Sequence, residues 1–171
     1  MSPRAVLVGP PGAGKSTVGR MLAGRLHVGL RDTDADVERT AGKSIAEIFF
    51  DDGETAFRAL EAAAVAAALG EHQGVLALGG GAVLAAETRA LLTGSGAPVV
   101  HLDVGLADAT RRVGLGRDRP VLALNPRAEL RRMLDARAPF YAEVATVVIP
   151  TDGRTPSQVT DAVLAALQEV S

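Results

Sequence analysis

Residues 9–17 read Gly-Pro-Pro-Gly-Ala-Gly-Lys-Ser-Thr, and no other stretch limits the possible folds of this chain so tightly. The spacing is G-x-x-x-x-G-K-[ST], the phosphate loop of nucleoside-triphosphate enzymes. The loop needs a strand before it and a helix after it. Ala5–Val8 is a short apolar run of strand character, and the stretch from Ser16 through Ala23 has helical character. Glycines let the backbone fold back without a Cβ clash. Successive N–H groups can then converge on phosphate oxygens, reinforced by the positive end of the helix. The expected nucleotide contacts are Gly12, Ala13, Gly14, Lys15, Ser16 and Thr17, with Lys15 reaching the outer phosphates and the Ser16 hydroxyl on magnesium. Lys15 is one of two lysines, the other being Lys43, in a chain whose remaining basic residues are arginine. A compact, flexible ammonium suits a phosphate cradle better than a planar guanidinium.

Alternating strands and helices extend this start into an α/β expectation. Strands are expected at 5–8, 28–31, 75–78, 99–102 and 145–149. Between them, helical patterns cover residues 44–49, 55–69, 87–92, 106–113 and 127–137. The first of these opens on the Ser-x-x-Glu capping box of Ser44 and Glu47. A last helix opens at Thr155-Pro156 and runs to Val170. Such alternation implies a parallel sheet with helices on both faces. The 171 residues suffice for one domain with a sizeable core, and no repeat or linker interrupts them.

Composition narrows the chemistry. A net charge of −2 argues against bulk attraction to nucleic acid, and 3 % aromatics gives little for bases to stack on. The absence of cysteine removes disulfides, thiolate metal sites and thiol nucleophiles. His27, His72 and His101 share no metal-ligand spacing. With neither a leader pattern nor an apolar run of bilayer length, the expectation is a soluble cytoplasmic protein without membrane contact.

Several other features point to one site. Asp32 and Asp34 follow a candidate strand, and at the carboxyl end of a parallel sheet they would face the ligand crevice. On extended backbone, residues two apart project to the same side. One carboxylate could then hold magnesium while the other accepts a proton from an attacking hydroxyl. Gly79, Gly80 and Gly81 follow another strand and permit close backbone approach to a ligand. Arg58 and Glu61 share a helix face, so the second could orient the first or simply pair with it at the surface. From Arg111 to Arg137, eight arginines against Asp118, Glu129 and Asp135 give a local charge of +5. Within that stretch, residues 114–120 look like a mobile arginine-bearing loop able to close over phosphates and exclude water.

Taken together, these motifs resemble the shikimate kinase family. The matching residues are 9–17, Asp32-Thr33-Asp34, Phe57-Arg58-Ala59-Leu60-Glu61, Leu78-Gly79-Gly80-Gly81-Ala82-Val83, Arg119-Pro120-Val121-Leu122 and Arg137-Ala138-Pro139-Phe140-Tyr141. The resemblance implies a three-layer P-loop kinase fold of the nucleoside-monophosphate-kinase type. Its five-stranded parallel sheet would be flanked by helices within a single domain, 1–171. A substrate-binding region at about 32–61 and a mobile lid at about 114–125 would complete it. It further implies ATP and Mg2+, with shikimate as acceptor, phosphorylated on its 3-hydroxyl in aromatic amino-acid biosynthesis, and a monomer. By that resemblance the catalytic residues are Asp34, Lys15 and Arg119. Shikimate would be bound by Asp34, Arg58, Gly79, Gly80, Gly81 and Arg137. Magnesium would be held by Ser16 and Asp32, with Asp103 a second candidate, and adenine would lie between Arg112 and Pro156. Arg31 departs from the family, which usually has an apolar residue there.

Two other readings compete. One is a gluconate-type or nucleoside-monophosphate kinase, against which the triple glycine and the Arg-x-Pro-x-Tyr stretch argue. The other is a nucleotide-dependent switch. The chain has neither the Asp-x-x-Gly nor the Asn/Thr-Lys-x-Asp pattern that a GTPase would carry.

Overall fold

The computed structural model describes residues 2–113 and 125–170. Five strands form one parallel sheet: β1 (Ala5–Val8), β2 (Leu30–Asp32), β3 (Val75–Ala77), β4 (Val99–Asp103) and β5 (Val147–Pro150). Their order is β2-β3-β1-β4-β5, so the strand that feeds the phosphate loop is central. Ala5 pairs with Val75 on one side, and Val6 with Val99 on the other.

Strand alternation builds the three layers. Ala5 and Leu7 face one core, shared with Val75, Val100 and Leu102. Val6 and Val8 face the opposite core, with Leu76, Leu78 and Val99. The first core is closed by α1 (Lys15–Leu26) and α8 (Pro156–Val170), with Leu22 and Val163 fully buried. The second is closed by α4 (Glu54–Glu71), α5 (Ala86–Gly94) and α7 (Pro126–Val144) through Val65, Leu92 and Tyr141. A smaller cluster of Val37, Ile48 and Phe57 holds α2 (Thr33–Ala41) and α3 (Ile45–Asp52) onto α4. Helix α6 (Leu106–Val113) follows β4.

Several elements differ in their bounds from the sequence expectation; β5, for one, begins at Val147 rather than Ala145. Strand β2 begins at Leu30 rather than Val28, because the Val28 N–H is spent on the Ala23 carbonyl at the end of α1. Helix α2 stands where extended backbone was expected. Asp32 is its N-cap, accepting from the Asp34 N–H at 2.9 Å, and Gly42 closes it at φ 73°. Asp32 and Asp34 therefore do not project together from a strand; one ends it, the other lies in the first helical turn. Helix α7 runs past the expected stop at Arg137, through Pro139, to Val144. The proline removes one helical hydrogen bond, and burial of Tyr141 and Val144 outweighs that loss.

Candidate active site

The phosphate loop fits because two glycines do what no other residue can. Gly14 caps α1 at φ 91°, a left-handed conformation. Gly9 lies at φ 156°, where a Cβ would sit 2.7 Å from the Leu102 carbonyl oxygen. The loop thereby nests against β4, and within it the Ala13 N–H bonds the Pro10 carbonyl at 3.1 Å. Lys15 folds back over it, donating to the carbonyl oxygens of Gly9 at 2.6 Å and Pro10 at 3.0 Å. Burial pulls the ammonium down to about 8, partly opposed by Asp34 and Asp32 and assisted by Arg137.

A cleft of about 440 Å³ opens from this loop. Gly12, Gly14, Lys15, Ser16 and Thr17 line one side, and Asp32, Asp34, Gly79 and Gly80 line the other. The two aspartates thus meet at one cleft through a strand-to-helix junction, a different geometry from the one expected. Asp34 is pushed up to about 6, first by burial and then by the neighbouring carboxylates of Asp32 and Glu61. Thr33 between them is fully buried, and its hydroxyl accepts from the Gly79 N–H at 3.3 Å.

The triple glycine is required by contact. A Cβ on Gly79 would lie 2.5 Å from an Asp34 carboxylate oxygen and 2.8 Å from one of Glu61. On Gly81 it would collide with the Arg58 guanidinium, and on Gly80 it would press the Pro11 ring at 3.0 Å. Side chains from α2 and α4 therefore close directly on the backbone after β3. Arg58 donates to the buried Glu61 carboxylate at 2.7 Å and to exposed Glu54 at 3.4 Å, and its guanidinium lies 5.2 Å from the centroid of the Phe57 ring. Arg137 stands on α7 one turn before Tyr141, whose hydroxyl donates to the Gly80 carbonyl at 2.6 Å; Arg58, Gly81 and Arg137 do not line the cleft itself.

A second cavity, about 290 Å³, adjoins the first across Gly14 and Thr17. Arg112 and Pro156 both line it, together with Ala13, Thr151 and Arg154. Arg112 is anchored there, donating to the Gly12 carbonyl and to both oxygens of Thr151, each at 3.1 Å. Asp108 holds its other edge. Asp103 is absent from both cavities and lines a third, with Gly105, Arg131 and Asp135. Arg119 and all of the expected lid except Asn125 lie outside the described residues.

Sequence reasoning missed Thr33 and the part played by Tyr141. No spacing rule announces the first. The second stood in a noted motif without a role. Arg31, the departure from the family pattern, sits on an edge strand, where it pairs with buried Asp36 at 2.7 Å and with Glu71 at 2.9 Å. An arginine is tolerated there because only one side of β2 is covered by another strand.

Comparisons with known proteins converge on one family. A family model for shikimate kinase matches residues 11–168. A shikimate kinase of Salinispora arenicola is 62 % identical over 167 residues, covering 98 % of this chain and 99 % of its own. A solved shikimate kinase from Acinetobacter baumannii, in complex with shikimate, superposes with a TM-score of 0.90 at 35 % identity, covering 99 % of this chain and 94 % of that one. Another from Bacteroides thetaiotaomicron gives 0.84 at 27 %, covering 98 % and 99 %. Among the described residues no helix is long and apolar enough to cross a membrane.

Proposed function

The chain belongs to the shikimate kinase family, and from that premise we propose which residues perform the family's reaction. The reaction is transfer of the γ-phosphoryl group of ATP to the 3-hydroxyl of shikimate, giving shikimate 3-phosphate and ADP. The observation that carries the assignment of roles is the shared cleft: the phosphate loop forms one wall, and the two aspartates with the glycine turn form the other.

The nucleotide tail lies in the loop amides, with Lys15 moving from its carbonyl partners to the outer phosphates. Adenine occupies the adjoining cavity between Arg112 and Pro156. Shikimate lies against Gly79, Gly80 and Gly81, its carboxylate held by Arg58 and Arg137. The paired N–H edges of guanidinium groups match a carboxylate's two oxygens. Asp34 accepts a hydrogen bond from the 3-hydroxyl. At about 6 it is ionised at neutral pH yet basic enough to take the proton as the oxygen attacks the γ-phosphorus and the bond to ADP breaks. Arg119 supplies positive charge to the transferring group, a role carried by the family resemblance.

Magnesium fits the donor set. The Ser16 hydroxyl and the Asp32 carboxylate line the same cleft. A hard octahedral cation on a nucleotide needs only one or two protein oxygens besides phosphates and water. When bound it neutralises phosphate charge. The proposal includes a monomer working in the cytoplasm without nucleic acid, to be tested by sedimentation with and without substrates.

The deciding experiment couples ADP release to shikimate, gluconate and nucleoside monophosphates in parallel. Strong turnover with shikimate alone is expected. Preference for either of the others would end the proposal.

A further inference from the structure

Three consecutive glycines have the least intrinsic preference of any tripeptide, so the orientation of each peptide in Gly79–Gly81 has to be imposed from outside. Four hydrogen bonds do so, one of them from the Leu84 N–H to the Gly81 carbonyl at 3.0 Å. The Gly79 N–H is held by the Thr33 hydroxyl at 3.3 Å, and the Gly79 carbonyl accepts from the Ala82 N–H at 3.1 Å. The middle carbonyl, that of Gly80, accepts from the Tyr141 hydroxyl at 2.6 Å, across a sequence separation of 61 residues.

Tyr141 is itself fixed. It is 2 % exposed, and its ring stacks on His101 of β4 with centroids 4.8 Å apart and planes inclined by 23°. Four residues earlier on α7, Arg137 shares its face and is a charged neighbour of the phenol, as are Arg58 and Glu61. The hydroxyl therefore stands where the glycine turn and the two candidate carboxylate-binding arginines meet.

Resting on the proposed acceptor site, we propose that Tyr141 is a positioning residue for the acceptor half of the reaction. Its hydroxyl locks the Gly80–Gly81 peptide plane, and with it the direction of the Gly81 N–H, and the same hydroxyl pairs with the Arg137 side chain. It touches neither reacting group. Because a trans peptide is planar, fixing the carbonyl fixes the amide beyond it. Burial pushes the phenol up, so it remains a protonated donor throughout the working pH range. Phenylalanine at this position would keep the stack on His101 and the packing, and would lose the hydroxyl's bonds to the Gly80 carbonyl and to the Arg137 side chain. The Gly80 carbonyl would then lose its side-chain donor.

The test is Tyr141→Phe, with initial rates at varied shikimate under saturating ATP and the converse, thermal melts, and calorimetric titration of shikimate alone. The expected result is a rise of about tenfold in KM for shikimate and in its dissociation constant, the scale of the hydroxyl's lost hydrogen bonding, with KM for ATP within about twofold. A lowered melting temperature with both KM values unchanged would reduce Tyr141 to a packing residue and overturn the inference. Equal loss for both substrates would do the same. Failure of the wild-type protein to phosphorylate shikimate would instead refute the acceptor assignment itself, so the two failures are distinguishable.

Discussion

Single side chains here are placed at the expense of their own solvation. Lys15 and Asp34 are both driven toward neutrality by burial, to about 8 and about 6. The protonation states that phosphoryl transfer needs, ammonium and carboxylate, coexist between those values. The pH profile of kcat/KM should accordingly fall on the acid side near 6, as Asp34 gains its proton, and on the alkaline side near 8, as Lys15 loses its own. A profile flat from 5 to 9 would contradict both assignments. Lys15→Ala should lower kcat by at least about a hundredfold in the ADP-release assay, since the cradle loses its only ammonium. Asp34→Asn should depress turnover far more than nucleotide affinity, measured by titrating a non-hydrolysable ATP analogue. The same variant should melt higher than wild type at neutral pH. Because the folded-state value of Asp34 is raised from 3.8 to about 6, its ionisation penalises the fold fully above pH 6. That penalty fades as the pH falls toward 3.8, so the advantage of asparagine should shrink over the same interval. A stability gain at an active-site position is the expected mark of strain kept for function.

At the scale of elements, caps decide what hydrophobic periodicity leaves open. Ser44 and Glu47 form a complete capping box on α3, each side chain bonding the other's backbone N–H. Ser44→Ala should cost about 1 kcal/mol in chemical denaturation. Because α3 packs through Ile48 on Val37 and Phe57, that loss should loosen the α2–α4 unit that presents Asp34 and Arg58. Helix α2 shows how legible signals can be passed over. Asp32 as cap, Asp34 and Asp36 in the first turn, Arg39 in the last and Gly42 after it make a full set of start and stop signals. The Asp-x-Asp spacing was read as strand geometry, and the stronger capping chemistry prevails. Helix α7 is the opposite case. Pro139 is a genuine stop signal, overridden by burial of Tyr141 and Val144, which local sequence cannot reveal.

At the scale of the whole molecule, the site is a meeting of distant segments. The phosphate loop follows β1, Asp32 and Asp34 follow β2, and the glycine turn follows β3. All leave the carboxyl ends of three neighbouring strands, which is where an open parallel sheet offers its crevice. The proposed acceptor and adenine regions lie in adjoining but separate cavities. Shikimate and an ATP analogue should therefore each raise the melting temperature without the other. A ligand at 100 times its dissociation constant adds roughly 2.7 kcal/mol. No shift with shikimate alone would argue that the acceptor site forms only after nucleotide binds. The chain by itself determined the phosphate loop, the α/β alternation and the family, because backbone-dictated motifs depend on neighbours a few residues away. Only the folded molecule decided that Gly79 lies against Asp34 and Glu61, that Thr33 and Tyr141 grip the glycine turn, and that Arg31 finds Asp36 and Glu71. Apart from the local Arg31–Asp36 pair, those contacts join segments far apart in the sequence. Their partners are chosen by strand order and core packing, which no local spacing encodes.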